Sequence, residues 1–220
     1  MMGYLDNDEY KLHQPKLRCP RKAVIYLTWD ELMCLFHFDY GKQEYLAHTR
    51  DVFCLSAFTG LRYSDAEKVR WNDIRDNRIC IITQKTWTPL RIELNRFSRS
   101  IIEKYRPKDT HDFDKPILPT ISNQKMNIYL KDCAMLAQID EPLHLVSFKG
   151  SERIDKYVLK WEVITTHCAR RTFVVSALRL GIPLEVIMKW TGHSDFKAMK
   201  PYIDIVDELR ERCMALFNRT

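Results

Sequence analysis

Apolar residues recur at three- and four-residue spacing in one segment after another along this chain, and a pair of facing strand-like runs is the clearest break in that rhythm. Thr28-Trp29-Asp30-Glu31 places a Glu three residues after a Thr that can act as N-cap, just before Leu32, Met33, Leu35 and Phe36. That pattern satisfies two orphan N–H groups reciprocally and predicts a helix start. A second helix is predicted over about Tyr45 to Thr59, with Val52, Phe53, Leu55 and Ala57 inward and Gly60 as its stop. Ser64-Asp65-Ala66-Glu67 repeats the capping spacing and predicts a short third helix. The break follows: "RICIIT" and "LRIEL", separated by "QKTWTP", read as a β-hairpin with a longer connection. Helices are predicted again near Asn95 to Tyr105 and Ser122 to Ala137, with short β-like runs around Gly150, between Leu143 and Val163. The remainder reads as helical: Thr166 to Leu180 before Gly181, Pro183 to Lys189 with Pro in the first turn, and about Ile205 to Phe217. The expected fold class is mainly α with a small antiparallel β-sheet (α+β), in one domain from residue 27 to 220, preceded by a polar, basic linker or arm over residues 1–26.

With 220 residues, 45% of them hydrophobic, the chain can bury a sizeable core. Thirty-five Lys and Arg against 29 Asp and Glu leave a net charge of +6, a modest excess that fits an anionic partner without specifying one. The cysteines, at 19, 34, 54, 80, 133, 168 and 213, are odd in number and form no C-x-x-C pair, which argues against a disulfide framework or a zinc site. No apolar run approaches the roughly 18 to 20 residues that span a bilayer, and the N-terminus lacks a signal-type stretch. A cytoplasmic protein without membrane contact is expected.

The chemistry concentrates in three places. "TTHCARRTFVVSAL" begins an apolar helix with titratable and cationic groups. With Thr166 as N-cap, His167 and Arg170 are three residues apart and share a face near the positive helix end. Free N–H groups, a forked guanidinium and a histidine together suit an anion. Taken alone, the stretch fits a helix-capping His167 and a surface salt bridge from Arg170 better than an anion site. "TGLRYSD" aims Arg62 from a tight loop, and "TGHSDFKAMKPYIDI" places His193 after Gly192 and Tyr202 nine residues further on.

In that order these motifs resemble the catalytic domain of tyrosine recombinases, the phage-type and conjugative-transposon integrases, from about residue 28 to the C-terminus. "TGLRYSD" with "ITTHCARRTF" looks most like the integrases of Bacteroides-type mobile elements. The resemblance implies site-specific recombination, integrating or excising a mobile element. By that resemblance Tyr202 attacks a DNA phosphate to give a 3′-phosphotyrosyl bond, and Arg62 and Arg170 stabilise the five-coordinate phosphorus. Lys85, in the hairpin connection, protonates the departing 5′-oxygen, His167 assists proton transfer, and His193 holds the phosphate or orients Tyr202. Asp65 is expected either to orient Arg62 or to complement the dipole at the start of its own helix. No metal and no cofactor are implied.

The implied partner is double-stranded DNA at a recombination site, with a homotetrameric synapse for a longer protein, a monomer for the isolated domain, and accessory DNA-bending factors. Core-binding and arm-binding domains are expected to be absent from this chain. Two departures stand out: Trp87 occupies a position where a small residue, commonly Gly, follows Lys-Thr, and Arg171 stands where many relatives carry His. Two other functions stay open on the sequence, DNA relaxation by a type IB topoisomerase and a non-catalytic DNA-binding module that keeps the fold.

Overall fold

A computed structural model describes residues 23–107, 113–150, 152–203, 205 and 214. Helix α1 (Trp29–His37) starts as expected: Thr28 Oγ1 accepts from the Glu31 N–H, and the Glu31 carboxylate accepts from the Thr28 N–H. Helix α2 (Glu44–Thr59) is buried almost all round over its last turns, from Asp51 to Thr59, which makes it the central helix of the body. Gly60 ends it with φ 75°, a left-handed geometry that lets the Gly60 N–H reach back to Ser56.

Helix α3 (Tyr63–Ala66) departs from the expected capping box. Arg62 is its N-cap and Ser64 lies inside the first turn, because Asp65 N–H donates to the Arg62 carbonyl. Glu67 does not close a box on Ser64; its charge sits beside the Tyr63 hydroxyl, whose pKa is raised by burial first and by Glu67 second. That hydroxyl donates to the Ile121 carbonyl and ties α3 to the segment leading into α5.

The first sheet is antiparallel in the order β1 (Ile74–Arg75), β2 (Arg78–Ile82), β3 (Pro89–Glu93). β2 and β3 are the expected hairpin, with Ile79 opposite Ile92 and Ile81 opposite Leu90. Ile79, Leu90 and Ile92 face the core. β1 adds a third strand through Asp76-Asn77, both at positive φ, the two-residue turn whose twist suits a hairpin.

Helix α4 (Arg96–Lys104) is capped by Asn95, and α5 (Asn123–Leu136) by Ser122. On α5 the buried residues Met126, Leu130, Cys133 and Ala134 follow helical spacing and face α2. The weak runs around Gly150 prove to be a hairpin of eight-residue strands, β4 (Pro142–Lys149) and β5 (Glu152–Leu159), with only Val158 buried. Lys160 roots its base by pairing with Glu31 at 2.7 Å and Glu141 at 2.6 Å. Short α6 (Lys160–Val163) then leads into α7 (Thr166–Arg179), which packs along α2.

Helix α8 (Leu184–Thr191) has Pro183 as N-cap, one place before the expected first-turn position, and ends at Gly192 with φ 62°. Val174, Val175, Leu178, Ile187, Met199 and Tyr202 form a second small core, with Val24 and Tyr26 packed against it. Tyr202 belongs to the four-residue α9 (Lys200–Ile203). The expected last helix, about Ile205 to Phe217, lies almost wholly outside the described residues, as do residues 1–22. Among the described residues no helix is long and apolar enough to cross a membrane.

Candidate active site

The two Thr-Gly steps of the sequence build one device. Thr59 and Thr191 each donate their hydroxyl to the carbonyl four residues back, Leu55 and Ile187, both at 2.6 Å. Each is followed by a glycine in the left-handed conformation, which closes the helix and leaves its last carbonyls aimed sideways. Arg170, on α7, collects the carbonyls released at both ends. Its Nη1 donates to Gly60 O at 3.0 Å, and its Nη2 donates to Thr191 O. These are the negative ends of α2 and α8, so two helix dipoles compensate a guanidinium that is only 3% exposed.

That compensation is partial. Burial, then the neighbouring Arg62, lowers the Arg170 pKa to about 10, against the raising influence of Tyr202 and Asp65. The group stays charged at neutral pH. Arg62 and Arg170 share one open cleft of about 220 Å³, lined also by Tyr63, Ser64, Asn123, Thr166 and His167. Nη1 of Arg62 is buried without a hydrogen-bond partner. Two cations share a cleft whose lining includes no carboxylate, an arrangement that suits an anion.

The start of α7 differs by one residue from expectation. Thr165, extended at φ −140° and ψ 166°, is the N-cap, and Thr166 is the first helical residue. Cys168 takes the reciprocal position, its sulfur accepting from the Thr165 N–H at 3.3 Å. One expected free N–H is therefore occupied: Thr166 N donates to Asn127 Oδ1 at 2.9 Å, because α5 brings its first turns against this end. His167 remains on the cleft wall, with its pKa lowered by burial first and then by Arg171, Arg170 and Arg62.

His193 stands behind Arg170 rather than on the cleft wall. The Thr191 hydroxyl is already donating to Ile187 O, so at 2.8 Å it accepts from Nδ1–H of His193. Arg170 Nη2 lies against this ring, 3.1 Å from Nε2 and 3.3 Å from Nδ1. Burial and the charges of Arg170, Arg62 and His167 lower the His193 pKa to about 4, so the imidazole is neutral at pH 7.

Tyr202 is 8% exposed and packed in the second core, close enough to Arg170 for its charge to act there, though not part of the cleft lining. Lys85 is exposed on the six-residue turn between β2 and β3 and is not in the cleft lining either. Thr83 orders that turn, pairing with Thr88 through its backbone and meeting Thr86 Oγ1 at 2.8 Å. Trp87 adopts φ 53°, the left-handed geometry that suits the glycine common there, and is 80% exposed.

Asp65 corrects one expectation. It makes no ion pair with Arg62; its Oδ1 accepts from the Gln84 N–H at 2.8 Å, next to Lys85 in the chain. The first turn of α3 points this 3% exposed carboxylate toward the hairpin, so it braces the turn instead of the guanidinium. Asn123 and Asn127, which surround Thr166, were not foreseen. Their four-residue spacing marks one helix face, yet nothing in the sequence says that this face meets α7.

The phage integrase family model matches residues 26–208, and the chain belongs to that family, the tyrosine recombinases. No curated protein shows a significant sequence match. Among solved structures the chain is similar to XerA recombinase, with 17% identity and a TM-score of 0.59 over 91% of this chain and 67% of that one. It is also similar to a lambda integrase dimer bound to a COC' core site, at 17% identity and TM-score 0.58, covering 83% and 60%. The Tn1549 transposon integrase in complex with circular intermediate DNA matches at 15% identity and TM-score 0.53, covering 82% and 61%. The fold is that of tyrosine recombinase catalytic domains, and the chain spans about three fifths to two thirds of the length of these neighbours.

Proposed function

We propose that this chain carries the catalytic domain of a site-specific DNA recombinase that integrates or excises a mobile element by breaking and rejoining DNA through Tyr202. The observation that carries this reading is the convergence of Arg62, His167 and Arg170 on one cleft, with a buried Arg62 N–H left unpartnered. A phosphodiester supplies the negative oxygens such a cleft lacks. Neutral His167 accepts the Tyr202 proton as the phenol oxygen attacks phosphorus. The P–O5′ bond breaks, Lys85 delivers a proton to the departing 5′-oxygen, and a 3′-phosphotyrosyl ester remains. A 5′-hydroxyl from a second strand reverses the sequence and restores the phosphodiester, so strand exchange consumes no external energy source. Arg62 and Arg170 stabilise the extra charge on the five-coordinate phosphorus, a contribution of about a hundredfold to a thousandfold per donor in comparable sites.

In this reading the partner is duplex DNA at a recombination site, in the bacterial cytoplasm and at the nucleoid. The longer protein works as a homotetrameric synapse, with accessory factors that bend DNA. Tyr202 must leave its packed position to meet the phosphate, and DNA binding supplies the energy for that movement. The test is a DNA duplex nicked close to the cleavage point, which traps the ester by letting the 5′-fragment diffuse away. A denaturant-resistant protein–DNA adduct that disappears in Tyr202→Phe is expected. Salt-sensitive binding without any adduct overturns the proposal.

A further inference from the structure

We propose that Asn123 is a further DNA-phosphate ligand of this site, offering its side-chain Nδ2 donor to the anion between Arg62 and Arg170, and that Asn127 is the residue that fixes its orientation. The inference rests on the recombinase reading for the identity of the anion as a DNA phosphate.

A backbone N–H can only donate, so the Asn127 atom facing Thr166 N at 2.9 Å is the carbonyl oxygen Oδ1. This places Asn127 Nδ2 on the opposite side, where it donates to the Asn123 backbone oxygen at 2.8 Å and to Asn123 Oδ1 at 3.0 Å. The Thr166 hydroxyl donates to the same Oδ1 at 3.3 Å. Two donors therefore hold Asn123 Oδ1, and its Nδ2 is turned away from them. That Nδ2 has no acceptor among the described residues. Asn123 lies on the wall of the cleft that holds Arg62, His167 and Arg170.

Packing does not explain Asn123. It is exposed on the first turn of α5, and the apolar face of that helix is supplied by Met126 and Leu130. A fixed, neutral N–H₂ group on the wall of a cleft with two guanidinium groups adds a directional contact without adding charge. It fits a lone pair that the arginines leave free on one of the two non-bridging phosphate oxygens. Asn127 touches no substrate in this arrangement and acts through Asn123.

The discriminating variant is Asn123→Asp. The carboxylate is isosteric, keeps an acceptor for Asn127 and Thr166, and suits a helix N-terminus, but replaces the outward donor with an anionic oxygen. On the nicked duplex at saturating concentration, adduct formation is expected to fall by about a hundredfold or more, with the urea midpoint of unfolding unchanged. Replacing the cleaved phosphate by a neutral methylphosphonate removes the repulsion, so the gap between wild type and Asn123→Asp is expected to shrink to within about threefold. Asn127→Asp, which retains the acceptor for Thr166 and loses the donor that orients Asn123, is expected to show the same narrowing.

Wild-type rates in Asn123→Asp, or a defect equally large on the methylphosphonate, overturn the proposal. If wild type itself forms no adduct, the recombinase reading fails separately. Asn123 is then judged by equilibrium binding of the intact duplex in a Tyr202→Phe background, where Asn123→Asp is expected to weaken affinity by about tenfold. Equal affinity overturns the inference on its own.

Discussion

Arg170 and Gly60, 110 residues apart in sequence, are joined by a hydrogen bond of 3.0 Å from the guanidinium to the carbonyl that ends α2. The same side chain reaches Thr191 at the end of α8. A cation that is nearly inaccessible to water is thus held by two backbone carbonyls and the neutral His193 ring, with no carboxylate bonded to it, which keeps its charge uncancelled. Glycine is required at Gly60 twice over, by its left-handed backbone and by the Phe173 ring against it.

Gly60→Ala is expected to destabilise the protein by about 2 kcal/mol or more, combining left-handed strain with overpacking. A Cβ there would lie 2.6 Å from Phe173 Cδ1, far inside contact distance. Gly41→Ala is the control: it has φ 56° but nothing within 4 Å of the added carbon, so only the backbone strain of about 1 kcal/mol applies. Urea unfolding of both variants checks the difference.

Arg170→Lys keeps the charge but removes the fork. A single ammonium cannot bridge both helix ends and also face the cleft, so one buried carbonyl loses its donor. Stability is expected to drop by about 1 to 3 kcal/mol, and adduct formation by about a hundredfold or more. Equilibrium unfolding and single-turnover cleavage of the nicked duplex measure the two effects separately.

Lys85→Ala is expected to slow cleavage by about a hundredfold or more, as for loss of a general acid. Replacing the bridging 5′-oxygen by sulfur gives a leaving group that needs no proton, and should restore Lys85→Ala while leaving Arg62→Ala impaired. Single-turnover rates with the two substrates decide it. If sulfur rescues neither variant, the turn lysine has another role.

His193 makes stability fall in acid. Its folded pKa, near 4, lies below the 6.5 of an unperturbed imidazole, so the unfolded chain takes up a proton that the folded chain resists. The stabilisation is complete above about pH 6.5 and is lost as pH falls toward 4, on the order of 2 kcal/mol. Thermal unfolding across that window should show a smaller acid loss in His193→Gln. His167, shifted in the same direction, adds to the wild-type slope and is retained in that variant.

Much of this was legible in the chain because the signals are local. The Thr28 capping box, the Gly60 helix stop and the alternation of "RICIIT" and "LRIEL" each act within a few residues, and each stands where its pattern places it. β1 escaped notice because two residues cannot show an alternation, although Asp76-Asn77 carried the turn signal. Either Thr165 or Thr166 could cap α7 by composition, and Asn127 on another helix settles the matter by occupying the Thr166 N–H.

Sequence alone determined which chemical groups exist and in what order: two arginines, two histidines, a lysine and a tyrosine on a mainly helical frame. Only the tertiary structure decided that Arg170 is held by two helix ends, that Asp65 braces the hairpin, and that Tyr202 sits packed in a core. The reason is that capping and periodicity are short-range and residue-specific, whereas a carbonyl belongs to every residue and becomes a particular partner only when packing brings two helix ends to one guanidinium.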